Sequence, residues 1–168
     1  MQFQTKSKIV ASCGLMAALA LIFSYVEVLF PLPVGIPGVK LGIANLVVII
    51  ALYRFDWRYA SAVNLVRVLV AGLLFTGPFG MMYSLSGAIL SMVLMVCLKK
   101  SGCFSIIGVS MGGGVFHNLG QLLMAIAIME DSRLFVYFPV LLFSGLVTGV
   151  IIGIVSYEIM KRLKIADL

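Results

Sequence analysis

Val136–Met160 reads VYFPVLLFSGLVTGVIIGIVSYEIM, twenty-five residues whose one charge, Glu158, lies near the end. A helix needs roughly 20 apolar residues to cross a hydrocarbon core about 30 Å thick. The stretch therefore spans a bilayer as one helix. Gly145, Gly149 and Gly153 recur within it at GxxxGxxxG spacing. That spacing leaves one face without side chains, where a second helix backbone can approach closely. The solvent of this chain is lipid, and its fold is a packed helical bundle.

The rest of the chain agrees. Of its 168 residues, 62% are hydrophobic and 11% charged, against roughly 25% charged in soluble domains. A water-soluble core of this size cannot hide so much apolar surface. Breaks at Pro31–Lys40, Arg54–Arg58, Thr76–Pro78, Lys99–Cys103 and Glu130–Pro139 leave six apolar segments, about 8–30, 41–53, 58–75, 79–98, 104–129 and 136–160. The first reads as a span and not a cleaved signal peptide, being longer than an ordinary signal core and lacking a small-residue cleavage site. The second is short, so it tilts or begins inside the protein. The expectation is an all-α integral membrane protein, residues 1–168 forming a single six-helix transmembrane domain.

With the N-terminus in the cytoplasm, that side holds Lys6, Lys8, Arg54, Arg58, Lys99, Lys100, Lys161, Arg162 and Lys164. The outer side holds Lys40 and Arg133, and Arg67 lies within a span. Nine basic residues against two place both termini in the cytoplasm of a multi-pass protein of the cell membrane. The net charge of +6 thus reports topology and attraction to anionic lipid, not nucleic acid.

Small residues mark other contact faces. Gly108 with Gly112, and Gly87 with Ser91, repeat the sixth span's pattern. In the first span Gly14 and Ala18 form one stripe, and Cys13, Ala17, Ala20 and Ser24 an adjacent one. Such stripes serve packing inside the bundle or docking on a second membrane protein, and the first span is the better candidate for docking. Cys13, Cys97 and Cys103 are odd in number and lack metal-site spacing, so they read as free thiols.

The polar residues converge. His117, Asn118 and Gln121 share an arc of about 100° on the fifth span, below Gly112–Gly114. Asn64 and Arg67 are one turn apart on the third; Asn45, Ser84 and Ser86 open the second and fourth; Glu27 closes the first. Given the topology, Glu27, Asn45, Ser84, Ser86 and Gln121 fall in the outer half, and Arg67, His117 and Asn118 near the middle. An outward-opening polar pocket follows, with the proline- and glycine-rich segment Pro31–Lys40 as a lid or a plain turn above it. An ionised arginine at mid-bilayer costs about 2.5–3.5 kcal/mol on insertion scales, so Arg67 faces the bundle. It either pairs with Glu27 or presents a guanidinium fork to an anionic or carbonyl-rich ligand. Lys40, in the outer loop, is either a second anchor for such a ligand or a solvated loop lysine. The glycines at 112–114 mark a pocket wall or a helix contact.

No GxxxxGK[ST] loop, nucleophile elbow or HExxH motif occurs, and the one adjacent acidic pair is Glu130–Asp131. Neither a metal site nor a cofactor is expected, and catalysis by this chain alone is not expected.

Three stretches carry a resemblance: GIPGVKLGIANLVVIIAL (Gly35–Leu52), SLSGAILSMVLM (Ser84–Met95) and VFHNLGQLL (Val115–Leu123). They resemble the Gx transporter family, commonly labelled heptaprenyl diphosphate synthase component I and grouped with the S components of energy-coupling factor transporters. The resemblance implies a six-helix protein that captures a vitamin or cofactor precursor from outside. It implies as partners a membrane scaffold subunit, met by small residues of the first helix, and two cytoplasmic ATPases. In this chain those residues are Cys13, Gly14, Ala17 and Ala18. The ligand contacts expected are Arg67, Asn45, His117, Asn118 and Gln121, with Glu27, Lys40, Asn64 and Ser84 beside them. An alternative is a membrane subunit that presents an isoprenoid to a prenyl diphosphate synthase. A third is an ion-coupled transporter using Glu27 and His117.

Overall fold

The computed structural model describes residues 6–29 and 42–163. Lys40, Lys164 and the segment Pro31–Lys40 lie outside the described residues. Six α-helices follow in order: α1 (Lys6–Leu29), α2 (Ile43–Arg54), α3 (Trp57–Ala71), α4 (Gly77–Ser101), α5 (Ile106–Met129) and α6 (Phe138–Arg162). A π-helical turn, Gly72–Thr76, joins α3 to α4, and a 3-10 turn, Ser132–Tyr137, precedes α6.

Local chemistry fixes the boundaries. Asp56 accepts from the Trp57 N–H at 2.8 Å and caps α3. Ser105 accepts from Gly108 N–H at 3.2 Å and caps α5. Gly102, at φ 68°, ends α4 in the left-handed conformation that glycine adopts without penalty. The helical run Trp57–Ser101 is 45 residues long, about 68 Å at 1.5 Å per residue and twice a hydrocarbon core. Gly77, at φ 72°, breaks it. α3 and α4 pack on each other on either side of that break.

Four helical runs are long and apolar enough to cross a membrane: Lys6–Leu29, Trp57–Ser101, Ile106–Met129 and Ser132–Arg162. Their outward faces carry large apolar side chains, among them Leu15, Leu73, Phe79 and Phe143. The short second helix is different. α2 has 12 residues, about 18 Å, and Leu46–Leu52 are all buried. It is the core rod of the bundle, shielded from lipid by its neighbours, and it begins inside the protein.

α4, α5 and α6 form an antiparallel trio with very close backbones. A Cβ on Gly149 would lie 2.6 Å from Met111 Cα, and one on Gly153 2.8 Å from Ile107 Cα. A Cβ on Gly145 would lie 2.9 Å from the Gly114 carbonyl carbon. On the other side of α5, a Cβ on Gly120 would lie 2.8 Å from Gly87 Cα, and Ser86 Oγ donates to Gly120 O at 2.7 Å. Two small-residue patterns take a definite form here. Gly112 and Gly113 face Leu98 and Met95 of α4, so their lack of side chains serves helix packing, and Gly113 also borders a small cavity between α2, α4, α5 and α6. Gly108 meets atoms of its own turn, Phe104 and Ser105, and lies outside these contact faces.

The two stripes of α1 also separate. Ala20 and Ser24 are buried and Cys13 and Ala17 partly so, whereas Gly14 and Ala18 are exposed, with nothing within 4 Å of a Cβ on Gly14. The basic residues gather at one end. Lys99 Nζ donates to Leu52 O and sits 4.8 Å from the Tyr53 ring; Arg58 and Lys100 flank Trp57.

Gly149→Leu should destabilise the bundle by about 1–3 kcal/mol, because its neighbours are backbone atoms that cannot give way. Gly14→Leu should fall within about 0.5 kcal/mol of the parent. Thermal unfolding of the two variants in the same detergent checks the contrast.

Candidate functional site

At the end of the bundle opposite the basic cluster, a polar cavity opens between the helices. It offers about 50 Å³ to the centre of a water-sized molecule, room for a few waters. α1 contributes Ser24 and Glu27, and α2 contributes Gly42 and Asn45. Arg67 comes from α3, Thr76 from the π-helical turn and Ser84 from α4. Gly114, His117, Asn118 and Gln121 come from α5 and Thr148 from α6. Every helix of the bundle thus reaches this one space.

Arg67 is 8% exposed, and its hydrogen-bonding partners are neutral. Nη2 donates to Asn64 Oδ1 at 2.8 Å and Nη1 to Ser24 Oγ at 3.5 Å. Ser24 can accept because its own hydroxyl donates to Ala20 O at 3.0 Å. Nε is buried with no hydrogen-bond partner among the described residues. The planar fork of a buried guanidinium suits a carboxylate or carbonyl oxygen, and here one donor is available for it.

Glu27 lies close enough to attract Arg67 electrostatically, while its carboxylate accepts from the Ile43 N–H, the first of α2. The acid thereby caps a helix whose N-terminal N–H groups have no partners within the helix, and favours the positive end of its dipole. Gly42, at φ 69°, turns the chain into that helix, a conformation other L-residues resist. Asn118 Nδ2 donates to Leu141 O at 2.8 Å and ties α5 to α6 from within the cavity wall.

Of the nine residues singled out as ligand contacts, Arg67, Asn45, His117, Asn118, Gln121, Glu27 and Ser84 line this cavity. Asn64 is 4% exposed and stands behind Arg67, positioning it and not lining the space. Lys40 lies outside the described residues. Sequence reasoning missed Thr148, the polar residue between Gly145 and Gly149, and Thr76 beside the break at Gly77. It also missed the π-helical turn, whose Thr76, with Phe75 packed on Tyr25 at 4.9 Å, supports one wall.

The family model for heptaprenyl diphosphate synthase component I matches residues 16–159, most of the chain, and the protein belongs to that family. No curated protein and no solved structure matches it significantly.

Asn64→Leu should cost about 2–3 kcal/mol, the loss of a charge-assisted hydrogen bond that leaves a buried donor unpaired. Arg67→Leu in the Asn64→Leu background should recover much of that loss, because removing both partners also removes the unsatisfied donor. A thermal double-mutant cycle measures the coupling; additive effects would mean the two side chains do not interact.

Proposed function

We propose that this member of the heptaprenyl diphosphate synthase component I family is a capture subunit of the S-component type. It binds a small cofactor-like or precursor molecule from outside the cell and passes it to an ATP-driven transporter of the energy-coupling factor type. The observation that carries the reading is Arg67: a buried guanidinium, held by neutral partners, with a free donor on the wall of a polar cavity. A structural arginine would spend its donors on protein acceptors. The chain acts as a binding subunit and not as an enzyme, with no catalytic residue, metal or cofactor of its own.

The topology proposed is six crossings with both termini in the cytoplasm of the cell membrane. It draws support from the basic residues at the ends of α2 and α4 and the start of α3, all on the side opposite the cavity. α2 crosses inside protein and not against lipid, so its 12 residues suffice. The cavity then faces outward. The exposed stripe of Gly14 and Ala18 on α1 is the surface offered to a membrane scaffold that carries two ATPases; Cys13 and Ala17 border it on the bundle side.

The family's name favours a second reading, a subunit that presents an isoprenoid to a prenyl diphosphate synthase. A diphosphate brings several negative charges, and the cavity wall has one cation among the described residues, with Glu27 beside it. That charge balance supports a ligand with at most one net negative charge.

Two measurements test the proposal. Native mass spectrometry of the gently purified protein should show a bound small mass that Arg67→Ala loses. No adduct in either protein, even after incubation with vitamin mixtures, would transfer the weight to the presenting-subunit reading. For topology, Cys103, exposed after α4, should react with a membrane-impermeant maleimide in inverted vesicles and not in intact cells. The opposite pattern would reverse the orientation.

A further inference from the structure

Beneath the Arg67 cavity lies a second, smaller one, with about 20 Å³ open to the centre of a water-sized molecule. Gly42, Asn45, Gly114 and Thr148 line both, so these residues form a neck where the two spaces meet. The inner chamber runs on between α2, α4, α5 and α6, with Ser91 and Ser110 on its wall beside Ile49 and Met95. Ser110 is 2% exposed, and its Oγ is buried without a hydrogen-bond partner among the described residues. Ser156 Oγ is in the same state but lines neither cavity; Ser110 differs in that its hydroxyl borders an open space. Alanine would fill the same contact without a polar atom to satisfy, and an unsatisfied buried hydroxyl costs roughly 1–3 kcal/mol.

The neck is polar as well. Thr148 donates its hydroxyl to Ser144 O at 2.9 Å, which leaves lone pairs free to accept. Asn45 offers an amide with both donor and acceptor atoms. From Arg67, through Asn45 and Thr148, to Ser110, hydrogen-bonding groups recur along a lining that is otherwise apolar around the inner chamber, where Ile49, Met95 and Ile152 stand beside Ser110.

We propose that the inner chamber is a subsite of the ligand site and takes one small neutral hydrogen-bonding group, a hydroxyl or a carbonyl oxygen. The inference rests on the capture reading and names its substrate class: a small monocarboxylate, polar at both ends. The carboxylate meets Arg67. The inner group passes the Asn45–Thr148 neck and bonds to Ser110. A space of this volume admits a group of about one water's size, so the ligand ends there. An isoprenoid chain would strand the hydroxyl of Ser110 and the amide of Asn45 against hydrocarbon. One guanidinium with Glu27 nearby matches a single negative charge better than a phosphate's two.

The test uses the full chain in lipid nanodiscs and two matched series of probes: unbranched alkyl carboxylates of two to eight carbons, and the same acids with a terminal hydroxyl. Binding is read by ligand-observed NMR and by thermal shift. At one chain length the hydroxy acid should bind about fivefold tighter than its parent, the worth of one net hydrogen bond. Ser110→Ala should abolish that preference while still binding the parent acid, and Arg67→Ala should lose both series. A preference for the alkyl acids at every length would overturn the subsite and leave the capture reading standing. So would a Ser110→Ala variant that melts at a different temperature yet keeps the hydroxy-acid preference, since its chamber would then hold only a structural water. Failure of both series to bind the wild type would sink the monocarboxylate class and with it the subsite. An adduct seen by native mass spectrometry in that same preparation would show that capture itself survives.

Discussion

One buried charge organises the bundle. An ionised arginine inside a bilayer costs a few kcal/mol unless neighbours replace its water, and the structure supplies them from its own helix and from α1. Asn64 lies one turn behind Arg67 on α3, so its amide oxygen is placed by helical geometry alone. Ser24 comes from α1 and can accept because its proton is already committed to Ala20 O. Glu27, one turn on from Ser24, adds an opposite charge and caps α2. The path of α1 past α3 and the starting point of α2 are thus tied to the same guanidinium. None of these partners uses Nε, so the solution is complete for folding and incomplete for the charge. In the capture reading proposed above, that gap is where a ligand would gain binding energy.

The two halves of the bundle are held by different means. α4, α5 and α6 meet backbone to backbone at Gly87, Gly114, Gly120, Gly145, Gly149 and Gly153, where a single methyl group has no room. In lipid, where apolar surface gains nothing by leaving solvent, such close dispersion contact is the main adhesive. α1 and α3 instead surround the apolar rod of α2 and meet the trio largely across the polar cavity. A rigid wall and a more loosely attached one therefore face each other over Arg67. The cavity has room for only a few waters, so a ligand of several heavy atoms would have to part these walls, and the glycine-packed trio is the half less able to deform. Gly77 and the π-helical turn before it sit at the connection between the halves, where a change in helix direction disturbs the fewest contacts.

Much of this was legible in the sequence because lipid is an exacting solvent. Polar groups with no water must find one another, so Glu27, Asn45, Arg67, His117 and Gln121, scattered over four spans, had one place to go. Prolines, glycines and charges likewise marked every break. The unreadable part was which neighbour each small residue meets. Gly112, Gly113 and Gly114 are consecutive, yet the first two face α4 and the third faces Gly145 of α6; spacing along one helix does not say what lies across from it. The stripes of α1 differ by a rotation of about 100°, too little for pattern alone to tell which turns inward. Asn118 lines the cavity, as the arc it shares with His117 suggests. Its bond to Leu141 O depends on the depth at which α6 begins. Thr148 was hidden by the glycines on either side of it.

The family's name and the site's chemistry point in different directions, and the physical argument lies in where the polarity ends. A protein that presents an isoprenoid needs a polar head site that gives way to an apolar sleeve or to the lipid itself. Here polar groups continue inward along one side of an otherwise apolar lining, from Arg67 through Asn45 and Thr148 to the hydroxyl of Ser110, which has no hydrogen-bond partner among the described residues. Each of these groups costs free energy in a membrane interior unless something bonds to it. The proposed ligand, polar at both ends, would bond to these groups where an isoprenoid chain would leave them unpaired.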